Sequence, residues 1–157
     1  MKIKGLMIDP ITNMPIIILR DPNGPAVLPI WVGIFEANAI ALQIEKIATP
    51  RPMTHDLLKS AIQGLDASVE KVLITDLKEN TFYAIIYLKQ GSKVMPIDSR
   101  PSDAIALALR TGSPIFVNSE VIDKAKNSDM TQNAGEAERI RKWLDSLDPD
   151  EMGKYTM

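Results

Sequence analysis

The chain has no cysteine among its 157 residues. This absence excludes disulfide bonds, thiolate zinc sites and cysteine nucleophiles, and it is typical of proteins from a reducing compartment. The N-terminal sequence MKIKGLMID has two lysines but no continuous apolar stretch followed by small residues, so it does not predict a signal peptide. Together these features predict a cytoplasmic protein.

A surplus of basic residues is also missing, since 18 lysines and arginines face 20 acidic residues and the net charge is −2. Nucleic-acid-binding proteins usually carry a basic excess, because neutralised phosphates supply most of their affinity. No apolar run approaches the roughly 20 residues that a membrane-spanning helix needs. We therefore expect no membrane partner, and we expect any nucleic-acid substrate to bind weakly, through a local basic patch or a metal.

The most informative feature of the sequence is an internal repeat. Residues 4–42 align without a gap on residues 71–109, and 13 of the 39 aligned positions carry identical residues. Chance would give roughly two or three identities at average composition. We interpret the repeat as an internal duplication.

Each copy has the same order of patterns. Three β-rich runs are separated by two turns. The first contains Asn13 or Asn80, and the second contains Gly24 or Gly91, where a positive φ is expected at the glycine. Two helices follow, over residues 36–47 and 56–63 in the first copy and over 102–110 and 120–126 in the second. Thr54 and Asn118 are predicted N-caps. The fold class is therefore α+β: duplicated β-β-β-α-α units form one barrel-like, mainly antiparallel sheet with the helices outside.

We expect one duplicated domain over residues 1–126, with repeats at about 2–64 and 69–126. Residues 127–157 are expected to add a polar loop and a C-terminal helix. Its apolar face would carry Ile140, Trp143, Leu144 and Leu147 at helical spacing. This helix docks either on its own domain or on a partner subunit, and a homodimer is expected.

Comparing the copies separates two kinds of residue. Residues identical in both copies are expected to be structural, whereas polar residues found in one copy are free to serve a single site. Two segments stand out by this criterion: residues 51–56 (RPMTHD) in the first copy and residues 98–103 (DSRPSD) in the second. When residues 98–103 are compared with their counterparts 31–36, only the acid at the helix start, Asp103 or Glu36, is shared.

The residues of these segments are suited to phosphate chemistry. His55, the only histidine, suits general acid–base catalysis, and Asp56, Asp98 and Asp103 are further candidate catalytic residues. Oxygen ligands from Asp98, Asp103 and Glu36 suit Mg²⁺ or Mn²⁺, and no organic cofactor is expected. Candidate substrate-binding groups are the two guanidinium groups and the helix starts at Arg51, Arg100, Thr54 and Ser102.

An ordinary structural role is the alternative for each of these residues. Ser-x-Asp and Thr-x-Asp at a helix start are common capping patterns. Asp98 and Arg100 would form a structural ion pair, and a lone histidine beside a cap is more often a hydrogen-bonding support than a catalyst.

The same segments resemble a known family. The strings LPIWVGIFEANAIAL, RPMTHDLL, DLKENTFY and IDSRPSDAIALALRTGSPIFV are together similar to the bifunctional nuclease (BFN) domain family over about residues 2–126. The resemblance implies a duplicated α+β fold and nuclease activity on RNA and DNA. It does not supply a catalytic mechanism.

Two functional hypotheses follow. The first is a nuclease, a hydrolase that cleaves phosphodiester bonds with the help of a divalent metal. The second is a module without enzymatic activity that binds an anion, a nucleotide or a protein partner, as the negative net charge and the amphipathic C-terminal helix would allow.

Overall fold

The computed structural model describes residues 1–127, which contain seven β-strands and four helices. In chain order they are β1 (Lys2–Ile8), β2 (Pro15–Arg20), β3 (Val27–Trp31), α1 (Ile34–Ile44), α2 (Thr54–Gly64), β4 (Ser68–Lys78), β5 (Thr81–Gln90), β6 (Lys93–Ser99), α3 (Pro101–Thr111), β7 (Ile115–Val117) and α4 (Ser119–Asn127). The mixed α+β class is confirmed. The predicted C-terminal helix lies outside the described residues.

The strands form two sheets. One has three strands in the order β1-β2-β3, and the other has four in the order β6-β5-β4-β7. Every pairing is antiparallel except that of β7, which runs parallel to β4. The prediction of one barrel-like sheet is not confirmed. Closure would require the outer strands β1 and β3 of the first sheet to pair with β6 and β7 of the second, and within residues 1–127 these strands do not pair.

Tight turns connect the strands of each sheet. Glu79 and Asn80, between β4 and β5, both have positive φ, at 47° and 60°. Two residues of that conformation match the twist of an antiparallel hairpin. Asn13 also has a positive φ, and so does Gly91, as predicted for its turn. The same prediction is wrong for Gly24, which is not among the residues with positive φ.

Asp9 and Asp76 occupy matching positions in the two copies, and each holds neighbouring segments together. Asp9, after β1, is buried and accepts hydrogen bonds from the Ile11 amide, the Thr12 hydroxyl and the Trp31 indole. Asp76, in β4, accepts from the Leu77 amide and pairs with Lys78 and with Lys124 of α4.

One hydrophobic core joins the two sheets and the helices. It contains Ile17 and Leu19 from β2, Val72 and Ile74 from β4, and much of α3. The α3 residues Ala104, Ile105, Ala106, Leu107 and Ala108 are at most 1% exposed. Alanines on this helix allow close approach by its neighbours α1 and α2 and by strands β4 and β5. Within residues 1–127, no helix is long and apolar enough to cross a membrane.

Leu107→Ala tests the central place of α3. Because Leu107 is fully buried, we expect its truncation to lower the free energy of unfolding by about 2–5 kcal/mol. Leu57→Ala is the matched control, since Leu57 is 63% exposed, and it should cost less than about 0.5 kcal/mol. Urea unfolding followed by circular dichroism measures both. Equal losses would show that α3 is not the centre of the core.

Candidate active site

The first turns of α2 and α3 meet through a histidine–carboxylate pair. His55 Nε2 lies 2.9 Å from Asp103 Oδ1, although 48 residues separate them in the chain. The His55 side chain is 11% exposed and that of Asp103 28%. Packing of α2 on α3 therefore places the only histidine beside an acid of the second copy.

Arg100 extends this pair to a third helix. Its Nε donates to Asp103 Oδ2 at 2.7 Å, and its NH1 donates to Glu36 Oε1 at 2.8 Å. Arg100 is the N-cap residue of α3, and Glu36 lies in the first turn of α1. The acids that begin the first helix of each copy thus converge on one arginine. We call Glu36, Arg100, Asp103 and His55 the four-residue network.

A glycine makes room for this arrangement. Gly33 is the N-cap of α1 and the counterpart of Arg100 in the other copy. A Cβ added at Gly33 would collide with the Glu36 carboxylate, which folds back over the helix start. Gly33 therefore permits the Glu36 side chain to lie where Arg100 reaches it.

The electrostatics of the network fix its charges. Burial works to raise the pKa of Asp103, but hydrogen bonds from Arg100 and His55 outweigh burial and hold that pKa below its ordinary value. The pKa of Glu36 is lowered by its own backbone N–H and by Arg100. The pKa of Arg100 is raised by Asp103 and Glu36. At neutral pH both acids are therefore anionic and Arg100 is cationic.

The charge of Asp103 also determines the tautomer of His55. An ionised carboxylate only accepts hydrogen bonds, so the proton in the contact must sit on His55 Nε2. In the neutral imidazole the other nitrogen, Nδ1, then carries the lone pair. Nδ1 has no hydrogen-bond partner within the part of the chain that the structure describes. The pair has the chemistry of an oriented general base, with the carboxylate holding the ring.

Asp56 makes a separate set of contacts. Its Oδ2 accepts from the Met53 amide at 2.9 Å, and its Oδ1 accepts from Arg110 Nε at 2.7 Å. The Met53 amide lowers the pKa of Asp56, burial opposes this, and Arg110 lowers that pKa further. Asp56 therefore both caps α2 and joins it to α3, and the structure does not bring it into the four-residue network.

The remaining candidate residues lie in different surroundings. Ser102 is buried in the first turn of α3. Thr54 is the first residue of α2, whose N-cap is Met53, so the prediction of Thr54 as N-cap is wrong. Arg51 is exposed, and its guanidinium forms no hydrogen bond or ion pair within residues 1–127. Asp98 is exposed on β6 opposite Ile85, and its carboxylate forms no hydrogen bond or ion pair with a described residue.

The predicted metal ligands do not form a cluster in this arrangement. Among residues 1–127, no group of three or more His, Cys, Asp and Glu side chains is placed to hold a metal ion. Glu36 and Asp103 each direct an oxygen to Arg100, and Asp98 is not part of the network. The acids as placed do not fit a shared Mg²⁺ or Mn²⁺ site, and the metal requirement stays a prediction.

A small cavity of about 150 Å³ lies beside the network but does not include it. The side chains around it come from the end of α1, the following loop and the Asp56–Arg110 pair: Leu42, Gln43, Ile47, Ala48, Thr49, Met53, Asp56 and Arg110. Since none of the four network residues lines this cavity, we place the candidate site on the exposed face of the network instead.

Sequence reasoning did not single out Arg110. Continuing the alignment of the copies by one residue pairs Arg110 with Gln43. Arg110 is therefore a polar residue that differs between the copies, and the comparison could have identified it. A charged residue in a helix rich in alanine and leucine was the second signal. The structure shows the Arg110 side chain to be 4% exposed.

Asp103→Asn tests the electrostatic description. Because the pKa of Asp103 is lower in the folded chain than its ordinary value of 3.8, ionised Asp103 stabilises the fold above about pH 4, and this contribution is lost as the pH falls through the lowered pKa. We expect Asp103→Asn to cost about 1–3 kcal/mol at pH 7, with a difference from wild type that shrinks towards pH 3.

Urea unfolding at a series of pH values measures this difference. Asp98→Asn is the control, because the Asp98 carboxylate forms no hydrogen bond or ion pair with a described residue, and it should change the free energy of unfolding by less than about 0.5 kcal/mol throughout. A cost of Asp103→Asn that does not change with pH would contradict the description.

Comparison with known proteins agrees with the resemblance noted in the sequence. The family model for the bifunctional nuclease domain matches residues 17–129, which include the whole four-residue network. An uncharacterised protein of Mycobacterium tuberculosis is 38% identical over 96% of this chain and 95% of its own length.

Plant proteins are more distant relatives. Bifunctional nuclease 2 of Arabidopsis thaliana is 30% identical over 73% of this chain and 39% of its own length. Bifunctional nuclease 1 of Oryza sativa subsp. japonica is 28% identical over 68% of this chain and 33% of its own length. Since the family model covers well over half of the sequence, the chain belongs to the bifunctional nuclease domain family.

Proposed function

We propose that this chain is a nuclease that hydrolyses phosphodiester bonds in RNA and DNA, with His55 as general base. The observation that carries the proposal is the His55–Asp103 contact of 2.9 Å, in which an anionic carboxylate leaves the lone pair on His55 Nδ1. The names of the plant relatives support the reaction class. DNA has no 2′-hydroxyl, so the nucleophile common to both substrates is water.

Each step of the reaction can be assigned to a side chain. His55 Nδ1 takes a proton from water as its oxygen attacks phosphorus. The bond from phosphorus to the leaving oxygen breaks, and that oxygen takes a proton from bulk water or from the protonated imidazole. Arg100 uses Nε and NH1 for Asp103 and Glu36, so its NH2 group is the donor that remains for a substrate phosphate. The uncommitted guanidinium of Arg51 is a second contact for that charge.

A metal-assisted form of the reaction stays open as part of this proposal. The acids Asp98, Asp103 and Glu36 are its predicted ligands, and their present positions do not form a site within the described chain. We therefore assign no step to Mg²⁺ or Mn²⁺ and include both ions, and EDTA, as conditions of the assay.

The second candidate function is binding without catalysis. The pairing of Arg100 with two acids supports it only indirectly, because it lowers the positive charge available for a polyanionic substrate and leaves a small anion or a protein as the partner. It is also favoured by exposed apolar side chains next to the network, such as Ile34 and Phe35. In this case nucleotides or other anions would raise the melting temperature of a protein that cleaves nothing.

His55→Ala is the central test of catalysis. Loss of a general base typically slows a reaction by about 10²–10⁴-fold, so we expect kcat on single-stranded RNA and DNA to fall by that factor. Purified wild type and variant are assayed with Mg²⁺, with Mn²⁺ and with EDTA. Equal traces of cleavage by both proteins would identify a contaminating nuclease and reject the proposal.

Asp98→Ala separates the two catalytic schemes in the same assay. A metal-ligand role predicts a loss similar to that of His55→Ala, restored in part by higher metal concentration. A role for the four-residue network alone predicts activity within about 3-fold of wild type, because a surface substitution away from the reacting groups costs little.

Phe35→Ala tests how the substrate is bound. Phe35 precedes Glu36 and is 88% exposed, which suits stacking against an unpaired base close to Arg100. Stacking on an aromatic side chain contributes about 1–3 kcal/mol per base, so we expect the Kd for a single-stranded oligonucleotide to rise at least about 5-fold. Phe116→Ala, at an aromatic residue 48% exposed on β7, is the matched control, and fluorescence anisotropy measures both.

An oligonucleotide with abasic positions completes this experiment. It offers phosphates without bases, so wild type and Phe35→Ala should bind it equally. An equal loss for both oligonucleotides would mean that Phe35 does not contact bases.

A further inference from the structure

We infer that Arg110 is the positioning residue of the active site: its buried guanidinium fixes the three helices that supply His55, Asp103 and Glu36. The inference rests on the proposed function for its effect on catalysis. Its structural part stands on contacts alone.

Arg110 belongs to α3, and its guanidinium donates hydrogen bonds to that helix and to both α1 and α2. Nε donates to Asp56 Oδ1 of α2 at 2.7 Å, NH1 to the Ala106 carbonyl of α3 at 2.9 Å, and NH2 to the Ala39 carbonyl of α1 at 3.0 Å. The Arg110 side chain is 4% exposed, so these hydrogen bonds replace water almost completely. A buried cation is tolerated only when such partners are present.

Each of these contacts lies within one helical turn of a network residue. Ala39 is three residues after Glu36, Ala106 is three residues after Asp103, and Asp56 directly follows His55. Three residues along a helix correspond to about 4.5 Å of rise. The guanidinium therefore holds α1, α2 and α3 together within one helical turn of the residues Glu36, His55 and Asp103.

Two further hydrogen bonds support this arrangement, one at the start of α2 and one between α2 and α3. Asp56 Oδ2 accepts from the Met53 amide at 2.9 Å, which fixes the first turn of α2. Lys59 Nζ, one turn further along α2, donates to the Arg110 carbonyl at 2.8 Å. His55 thus lies in a turn whose axial position and rotation relative to α3 are both set by contacts with Arg110.

Positioning of this kind should act on the chemical step more than on binding. A misplacement of about 1 Å in a reacting group can reduce the rate about 10²-fold. We expect Arg110→Met to lower kcat by about 10–100-fold while KM changes by less than about 3-fold, because phosphate contacts by Arg100 and Arg51 remain. A loss of stability alone would instead lower the fraction of active protein and leave kcat per folded molecule unchanged.

A spectroscopic readout makes the test independent of activity. Because His55 is the only histidine, its imidazole ¹⁵N and ring-proton resonances are assigned without ambiguity. In the wild type we expect the Nε2-protonated tautomer, with an Nε2 proton protected from solvent exchange by Asp103. In folded Arg110→Met we expect faster exchange of that proton and a mixture of tautomers.

Asp56→Asn is the second variant, for the case in which Arg110→Met fails to fold. The amide oxygen of asparagine can still cap the Met53 amide, while the charged contact with Arg110 is lost. Lys124→Met is the control, since it removes an ion pair of similar length, 2.6 Å to Asp76, between α4 and β4. It should leave both the His55 resonances and kcat unchanged.

The outcomes separate the two proposals. Altered His55 resonances in Asp56→Asn or in folded Arg110→Met would support the positioning role. This holds even if the wild type itself does not cleave nucleic acid, because the absence of cleavage would reject only the proposed function. Wild-type resonances and kcat in the folded variants would overturn the positioning role. A loss of activity by Asp56→Asn with unchanged resonances would also overturn it, because Asp56 would then act on the substrate directly.

Discussion

Burial of α3 is the constraint on which the rest of the structure depends. The segment Ala104–Ala108 is almost completely inaccessible to solvent, so α1 and α2 pack against the helix on one side and the four-stranded sheet on the other. A helix enclosed in this way still has polar groups at both ends. Each must find a partner, since an unpaired buried polar group costs several kcal/mol.

The candidate site is a consequence of that requirement. At the first turn of α3, Asp103 is satisfied by Arg100 and His55; in the last turn, Arg110 is satisfied by Asp56 and two backbone carbonyls. In the described part of the chain, no buried side-chain nitrogen or oxygen lacks a partner. The partners come from α1 and α2, so the pairing that allows α3 to be buried also brings residues from the two halves of the chain together.

The sequence predicted local structure better than it predicted how the sheets are arranged. All four helices and the six strands of the two repeats lie where the hydrophobic patterns and turn residues indicated them. The division into two sheets depends on how the outer strands pair. Pairings between segments far apart in the chain, such as the parallel pairing of β4 with the three-residue strand β7, leave no local pattern in the sequence.

Two local predictions failed for different reasons. Thr54 does not cap α2, because the helix begins earlier than predicted: Met53 is the N-cap residue, Thr54 is the first helical residue, and the Asp56 carboxylate accepts a hydrogen bond from the Met53 amide. Gly24 does not need a positive φ. The Asn23 amide donates to the Asp21 carboxylate in that turn, and an added Cβ at Gly24 would meet the same carboxylate at 2.8 Å.

The comparison of the two copies predicted only part of the candidate site correctly, and the reason is geometric. Comparison along the chain identifies residues that differ, but it contains no distances. Asp98 and Asp103 belong to one short segment, yet the chain leaves β6 at Ser99 and begins α3 at Pro101. The change of direction between these elements separates an exposed strand residue from a half-buried helix residue, so segment membership did not imply a shared site.

Charge balance in the network connects the fold to the proposed chemistry. Glu36 and Asp103 together carry two negative charges against the one positive charge of Arg100, and the chain as a whole has a net charge of −2. Such a site gains little from general attraction to a polyanion. A phosphate must instead use the guanidinium donors that remain and compete with fixed carboxylates. The same carboxylates orient Arg100 and His55. Under the proposed chemistry, the arrangement would therefore bind the substrate more weakly but hold the reacting groups in a fixed geometry.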